Sequence, residues 1–213
     1  IMADLGLKLD RHDAVKTGIA GTHSGGIMNY FLLAPKAEGN AIKLKLTVTY
    51  DETLDFPIAR KQIRTAVPAS QQKELNAMFG QTAQDYFDTP TAVCYSLEEI
   101  ACEKIRAILT RRTRPTRSRD LVDLYVITSR DLPLPQAAPA QAVKAKLARA
   151  LRIPAYASEF KKNTQNLHEH LQQLAIQSTL DPVFIEKPPL EDVKKFANQL
   201  EKYLVDNGII QAS

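Results

Sequence analysis

Cysteine is almost missing from this chain: Cys94 and Cys102 are the only two in 213 residues. They form no C-x-x-C motif, and a chain of this length can bury a core without a disulfide. A reducing cytoplasm is therefore the expected compartment. No apolar run approaches the roughly 20 residues that a membrane-spanning helix requires. The opening Ile-Met-Ala-Asp has neither a basic nor an apolar signal region, and Asp10-Arg11-His12-Asp13 follows at once, so neither export nor a membrane is expected. Low-complexity tracts and internal repeats are also missing. What remains is a globular composition, with 44% hydrophobic and 24% charged residues, close to the average for such domains. A net charge of +4 says little about a polyanionic partner, but its distribution says more. Arg106, Arg111, Arg112, Arg114, Arg117 and Arg119 fall in one short stretch.

Local patterning divides the chain into a sheet-containing portion, residues 1–95, and a helical portion, residues 96–213. The expected class is α+β. Residues 3–17 suit a short helix, and Gly18, Gly21, Gly25 and Gly26 then lead into the apolar run 27–33. Residues 41–50 alternate, with Ile42, Leu44, Leu46, Val48 and Tyr50 on one face and Lys43, Lys45, Thr47 and Thr49 on the other. The two segments predict an antiparallel hairpin whose polar face meets solvent or a site. Residues 70–79 read as a polar helix stopped by Gly80, and 89–95 as a further extended piece. Helices are then expected over 97–112, 119–128, 140–151, 158–176 and 190–207, the last ended by Gly208.

The chemistry concentrates at the start of the helical portion. Ser96-Leu97-Glu98-Glu99 is a capping box, in which the serine hydroxyl and a glutamate carboxylate take up free amide donors. At about 100° per residue the helix that follows carries Leu97, Ile100, Ala101 and Ile108 on one stripe, with Lys104 in its middle. An ammonium on an inward face either snorkels to water or needs a carboxylate or a ligand phosphate. The next helix offers the acids. Ser118 is its expected N-cap; Asp120 lies beside the apolar face of Leu121, Leu124, Tyr125 and Thr128, and Asp123 is placed to meet Arg119 at i,i+4 spacing. Such a set suits a nucleotide, because phosphoryl and nucleotidyl transfer rely on cations placed against phosphate oxygens. Lys104 would hold a triphosphate, and Asp120 would orient Lys104 or position an attacking hydroxyl. Arg111, Arg112, Arg114 and Arg117 would meet an RNA backbone or the leaving pyrophosphate, or form a solvated charge run.

Other signals carry less. Gly21–Gly26 has neither the G-K-[ST] ending of a Walker loop nor a dinucleotide fingerprint. His168 and His170 stand two apart on a helix and point away from each other, so no shared metal is assigned. Ser24, His12 and His23 make no triad, and Cys102 reads as a packed side chain rather than a nucleophile.

The run SLEEIACEKIRAILTRR followed by SRDLVDLY resembles, in order and spacing, the paired motifs of the AbiEii/AbiGii nucleotidyltransferase toxins of bacterial abortive-infection and toxin–antitoxin systems. The likeness is strong over residues 15–130 and architectural beyond. It implies a partial nucleotidyltransferase-like sheet followed by a C-terminal helical bundle, with Lys104 and Asp120 as the motif lysine and aspartate, and Arg119 and Asp123 in support. It further implies transfer of a nucleotide from an NTP, with Mg²⁺, to RNA, tRNA being the expected acceptor, and a cognate antitoxin. The family's leading Gly-Ser or Gly-Gly element and its Asp-x-Asp metal pair have no counterpart in these residues, and Lys45 stands where relatives often carry an acid. The chain is accordingly read as the C-terminal two-thirds of such a toxin. The alternative is an inactive relative that binds RNA or protein.

Overall fold

The computed structural model describes residues 8–15, 26–34, 42–50, 53–62, 68–81, 91–112, 118–180 and 188–211. The chain forms two compact units, Ile1–Leu54 and Asp55–Ser213. In the first, β1 (Lys8–Val15), β2 (Gly26–Ala34) and β3 (Ile42–Tyr50) make an antiparallel sheet in the order β1-β2-β3. The hairpin of β2 and β3 is the expected one, running in register from Gly26 opposite Tyr50 to Ala34 opposite Ile42. The helix expected over residues 3–17 is not formed in its described part, which is strand β1. Helix propensity is worth only tenths of a kcal/mol per residue, whereas an isolated hairpin is marginal in water and gains a second ladder from a third strand. That ladder pairs Lys8 with Leu33 and Val15 with Ile27, and its register shifts between Leu9 and Arg11, leaving Asp10 as the extra residue.

The second unit is mostly helical among its described residues. A two-stranded antiparallel sheet joins β4 (Ala59–Gln62) to β5 (Thr91–Cys94). Helix α1 (Ala69–Phe79) lies between them in the chain and stops at Gly80, whose φ of 55° only glycine adopts without strain. Helices α2 (Leu97–Thr110), α3 (Ser118–Arg130), α4 (Leu134–Ala137), α5 (Ala140–Ala150), α6 (Pro154–Gln165), α7 (Leu167–Leu180) and α8 (Leu190–Asp206) follow. The single helix expected over 158–176 is two helices broken at Asn166, where φ −130° and ψ 56° leave the helical region. Breaking there lets the Leu167, Leu171 and Leu174 face of α7 enter the core. That core also takes Ile105 and Ile108 of α2, Leu121 and Leu124 of α3, Val143 of α5, and Val193, Leu200 and Leu204 of α8. Each such side chain contributes about 1.5–3 kcal/mol when fully buried. Gly208, at φ 58°, ends α8 and turns Ile209 and Ile210 back onto the core, with the Ile209 amide donating to the Leu204 carbonyl at 2.9 Å. Helix α2 is the most enclosed of the described helices: Glu99, Ala101, Cys102, Ile105 and residues 107–110 are all buried.

Candidate functional site: a lysine between two aspartates

Helix α2 begins as its sequence dictates, with the Ser96 hydroxyl accepting from the Glu99 amide at 3.2 Å. That start sets the rotation of the whole helix and turns Lys104 toward α3. There its Nζ lies 2.9 Å from Asp120 Oδ1 and 2.5 Å from Asp123 Oδ2. The i,i+3 spacing of the two acids puts both on the side of α3 that faces α2. Lys104 therefore does not simply snorkel. Burial works against its charge, but the hydrogen bonds to Asp123 and Asp120, with the charges of both, outweigh it and raise the amine above its ordinary value of 10.5. The ammonium stays protonated at any physiological pH. It has three N–H donors, and two of them are taken by the carboxylates. The cluster is graded in exposure, with the Asp120 side chain 10% exposed and Asp123 46%. One end is thus fixed in protein and the other opens to solvent. Asp123, placed by spacing opposite Arg119, turns its carboxylate to Lys104 instead.

The arginines separate. Arg106 is committed to structure: its Nε donates to Glu103 Oε2 at 2.7 Å and its guanidinium lies 5.8 Å from the centre of the Tyr156 ring. Arg111 is half-buried at the C-terminal cap of α2, and Arg112 is exposed. Arg119 is half-buried in the first turn of α3. Arg114 and Arg117 lie outside the described residues.

Sequence reasoning missed the anchors around α2. The Glu99 carboxylate does not close the capping box; it accepts instead from the backbone amides of Asp55 at 3.0 Å and Phe56 at 3.1 Å. Its other oxygen lies 2.5 Å from Nζ of Lys146, and both side chains are only 1% exposed. The same ammonium reaches Glu103 and Asp55, each at 3.2 Å, so three donors meet three carboxylates. Arg149 pairs with Asp55 as well. For Asp55, burial pushes the carboxyl up, but hydrogen bonds from Arg149 and Lys146 prevail and hold it below the ordinary range; Glu103 is held down in the same way, chiefly by Arg106. Cys102 is fully buried beside this cluster, and burial pushes its thiol up to about 12. It is a packed side chain and not a nucleophile.

The far end of α2 is held from two other helices. Asn163 of α6 is buried and its Nδ2 donates to the carbonyls of Leu109 at 3.1 Å and Arg111 at 3.0 Å. His170 of α7 donates through Nε2 to the Ile108 carbonyl at 3.1 Å, while His168 faces Glu201 at 2.7 Å. The two histidines thus serve different partners. Asn163→Leu is expected to leave the last α2 carbonyls unserved in a buried place and to lower stability by about 1–3 kcal/mol. Urea unfolding monitored by circular dichroism checks this, and an unmoved midpoint would show that the cap contributes nothing.

Fold and site together define a helical scaffold built around a lysine clamped by the two carboxylates of an Arg-Asp-x-x-Asp helix. The chain belongs to the AbiEii nucleotidyltransferase toxin family of type IV toxin–antitoxin systems, whose model matches residues 7–202. The match runs through the helical portion as well as the motif pair. No curated protein and no solved structure matches the chain.

The family implies use of an NTP and a metal ion. The described residues do not assemble a place for Mg²⁺: none of their His, Cys, Asp and Glu side chains group in threes suited to a metal. Asp120 and Asp123 already share an ammonium whose charge opposes a second cation. Among the described residues no helix is long and apolar enough to cross a membrane.

Proposed function

We propose that the protein is the toxin of its pair, transferring a nucleotide from an NTP to RNA in the cytoplasm, with tRNA the expected acceptor and a cognate antitoxin opposing it. In this reading residues 1–95 are the remainder of a nucleotidyltransferase-like α/β domain. The observation that carries the proposal is the Lys104 clamp, with one amine held by two acids at 2.9 and 2.5 Å at the edge of solvent. An RNA hydroxyl oxygen attacks the α-phosphorus of the NTP; the bond to the bridging oxygen breaks, pyrophosphate leaves, and the proton of the hydroxyl passes to solvent water. Charge on the phosphate oxygens is what a catalyst of this step must meet. Lys104 offers its third donor to those oxygens. Asp120 and Asp123 fix the amine in place, so little reorganisation is needed as the charge shifts. Arg111 and Arg112, with Arg114, Arg117 and Arg119, are assigned to the RNA backbone or the departing pyrophosphate.

A binding module that performs no transfer is the second reading, favoured by the absence of a Mg²⁺ ligand set among the described residues. Incubating the full-length protein with labelled NTPs, Mg²⁺ and tRNA separates the two. Label in the RNA supports the transferase, and tRNA binding without label supports the module.

A further inference from the structure

Helix α3 is apolar on more than its core side. Beyond the stripe of Leu121 and Leu124 it carries Val126, which is half-exposed and stands outside the core cluster. Val126 and Ser129 form one wall of a groove of about 470 Å³, and Pro188 and Pro189 form part of the other. Its size lies within the range of pockets that hold small ligands. Its ends are of opposite charge. Asp123, one of the two acids on Lys104, stands at one end, and Arg130 stands about 10 Å further along the helix at the other.

We propose that this groove is the nucleoside subsite, taking the base and ribose of the NTP while its phosphates lie at Lys104. The proposal rests on the transferase reading and deepens it by assigning the part of the substrate that the clamp does not explain. A nucleoside is a flat apolar body with polar edges, and the groove offers what such a body needs: two apolar walls, an acceptor for ribose hydroxyls in Asp123, and a guanidinium in Arg130 able to stack on the base or donate to its carbonyls. Arg130 is exposed and engages no carboxylate among the described residues. Asp123 is shared between clamp and groove, so a ligand in the groove places its next atoms beside the lysine amine.

Titration calorimetry on the full-length protein tests the assignment, with ATP, CTP, GTP and UTP in turn and inorganic tripolyphosphate as the probe that has no nucleoside. At least one nucleotide is expected to bind about tenfold or more tighter than tripolyphosphate, the worth of one well-seated base. Val126→Trp fills the groove and is expected to erase that margin while leaving tripolyphosphate binding unchanged. Ser129→Trp, at an exposed position, fills it from the rim and guards against a folding defect in the first variant. Lys104→Ala should weaken both ligands together. The subsite is overturned if the margin survives in both tryptophan variants. It is also overturned if no nucleotide binds tighter than tripolyphosphate; the transferase reading then stands provided that Lys104-dependent binding and RNA labelling persist. Failure of every phosphate ligand to bind sinks both.

Discussion

Lys104→Ala is expected to reduce nucleotide transfer to tRNA by about a hundredfold to a thousandfold, the usual effect of removing one donor from a developing oxyanion. The loss should appear in kcat as well as in kcat/KM, because the amine meets charge that grows as pyrophosphate departs. Asp120→Asn should lower transfer by about tenfold to a hundredfold, since this acid, with its side chain only 10% exposed, is the one fixed in protein and ties the amine to it. Asp123→Asn should cost less through the clamp, its side chain being far more exposed. Thermal unfolding of each variant separates catalysis from folding. Labelling at the wild-type rate by both Lys104→Ala and Asp120→Asn would remove the roles given to them.

Lys146→Met should lower stability by about 3–5 kcal/mol, because it leaves the buried Glu99 carboxylate without its counter-charge. Urea unfolding gives the number, and a loss below about 1 kcal/mol would show that the cluster is held by other means. Combining it with Glu99→Gln should cost less than the two single changes added together, as expected for partners in contact. The pH dependence follows from the directions of the shifts. Lys146 and Lys104 are both raised above 10.5 when folded, so their contribution is complete below that pH and is lost as pH climbs beyond it. Asp55 and Glu103 are depressed below 3.8 and 4.5; their contribution is present above those values and fades as pH falls through the lower folded ones. Burial also holds the His170 imidazole below 6.5, so that protonation opposes the fold as pH falls past that value. It raises the Cys102 thiol from 9.0 to about 12, a contribution lost as pH climbs above 9. A stability profile flat only between about pH 7 and 8, falling on both sides, is the expected signature.

The clamp was legible because its geometry is local. Ser96 marks a helix start, so the projection of Lys104 follows from counting, and Asp120 and Asp123 arrive on the very next helix. The Lys146 cluster spans 43 to 47 positions of sequence between its members on α2 and α5, and no spacing rule connects them. A usable sign was nevertheless there: Lys146 stands on the stripe of Val143, Leu147 and Ala150, the same anomaly that singled out Lys104. Asn163 carried no comparable sign, since an asparagine inside a helix reads as a surface residue until its partners are seen. Two of the departures in secondary structure have one cause. Strand β1 and the break at Asn166 are both decided by what the segment meets elsewhere, a neighbouring ladder in one case and the core in the other, and local propensity is too weak to resist either.

The enclosure of α2 sets how this protein can change over time. Its sides are spoken for in turn by a salt cluster, by the apolar core, by the clamp and by donors at its last turn, which leaves few positions where a new side chain meets only water. In a library carrying every single substitution, this helix should be the least permissive stretch of the molecule. Variation among working descendants should collect instead on outward positions of α8 such as Lys195 and Lys202, both exposed.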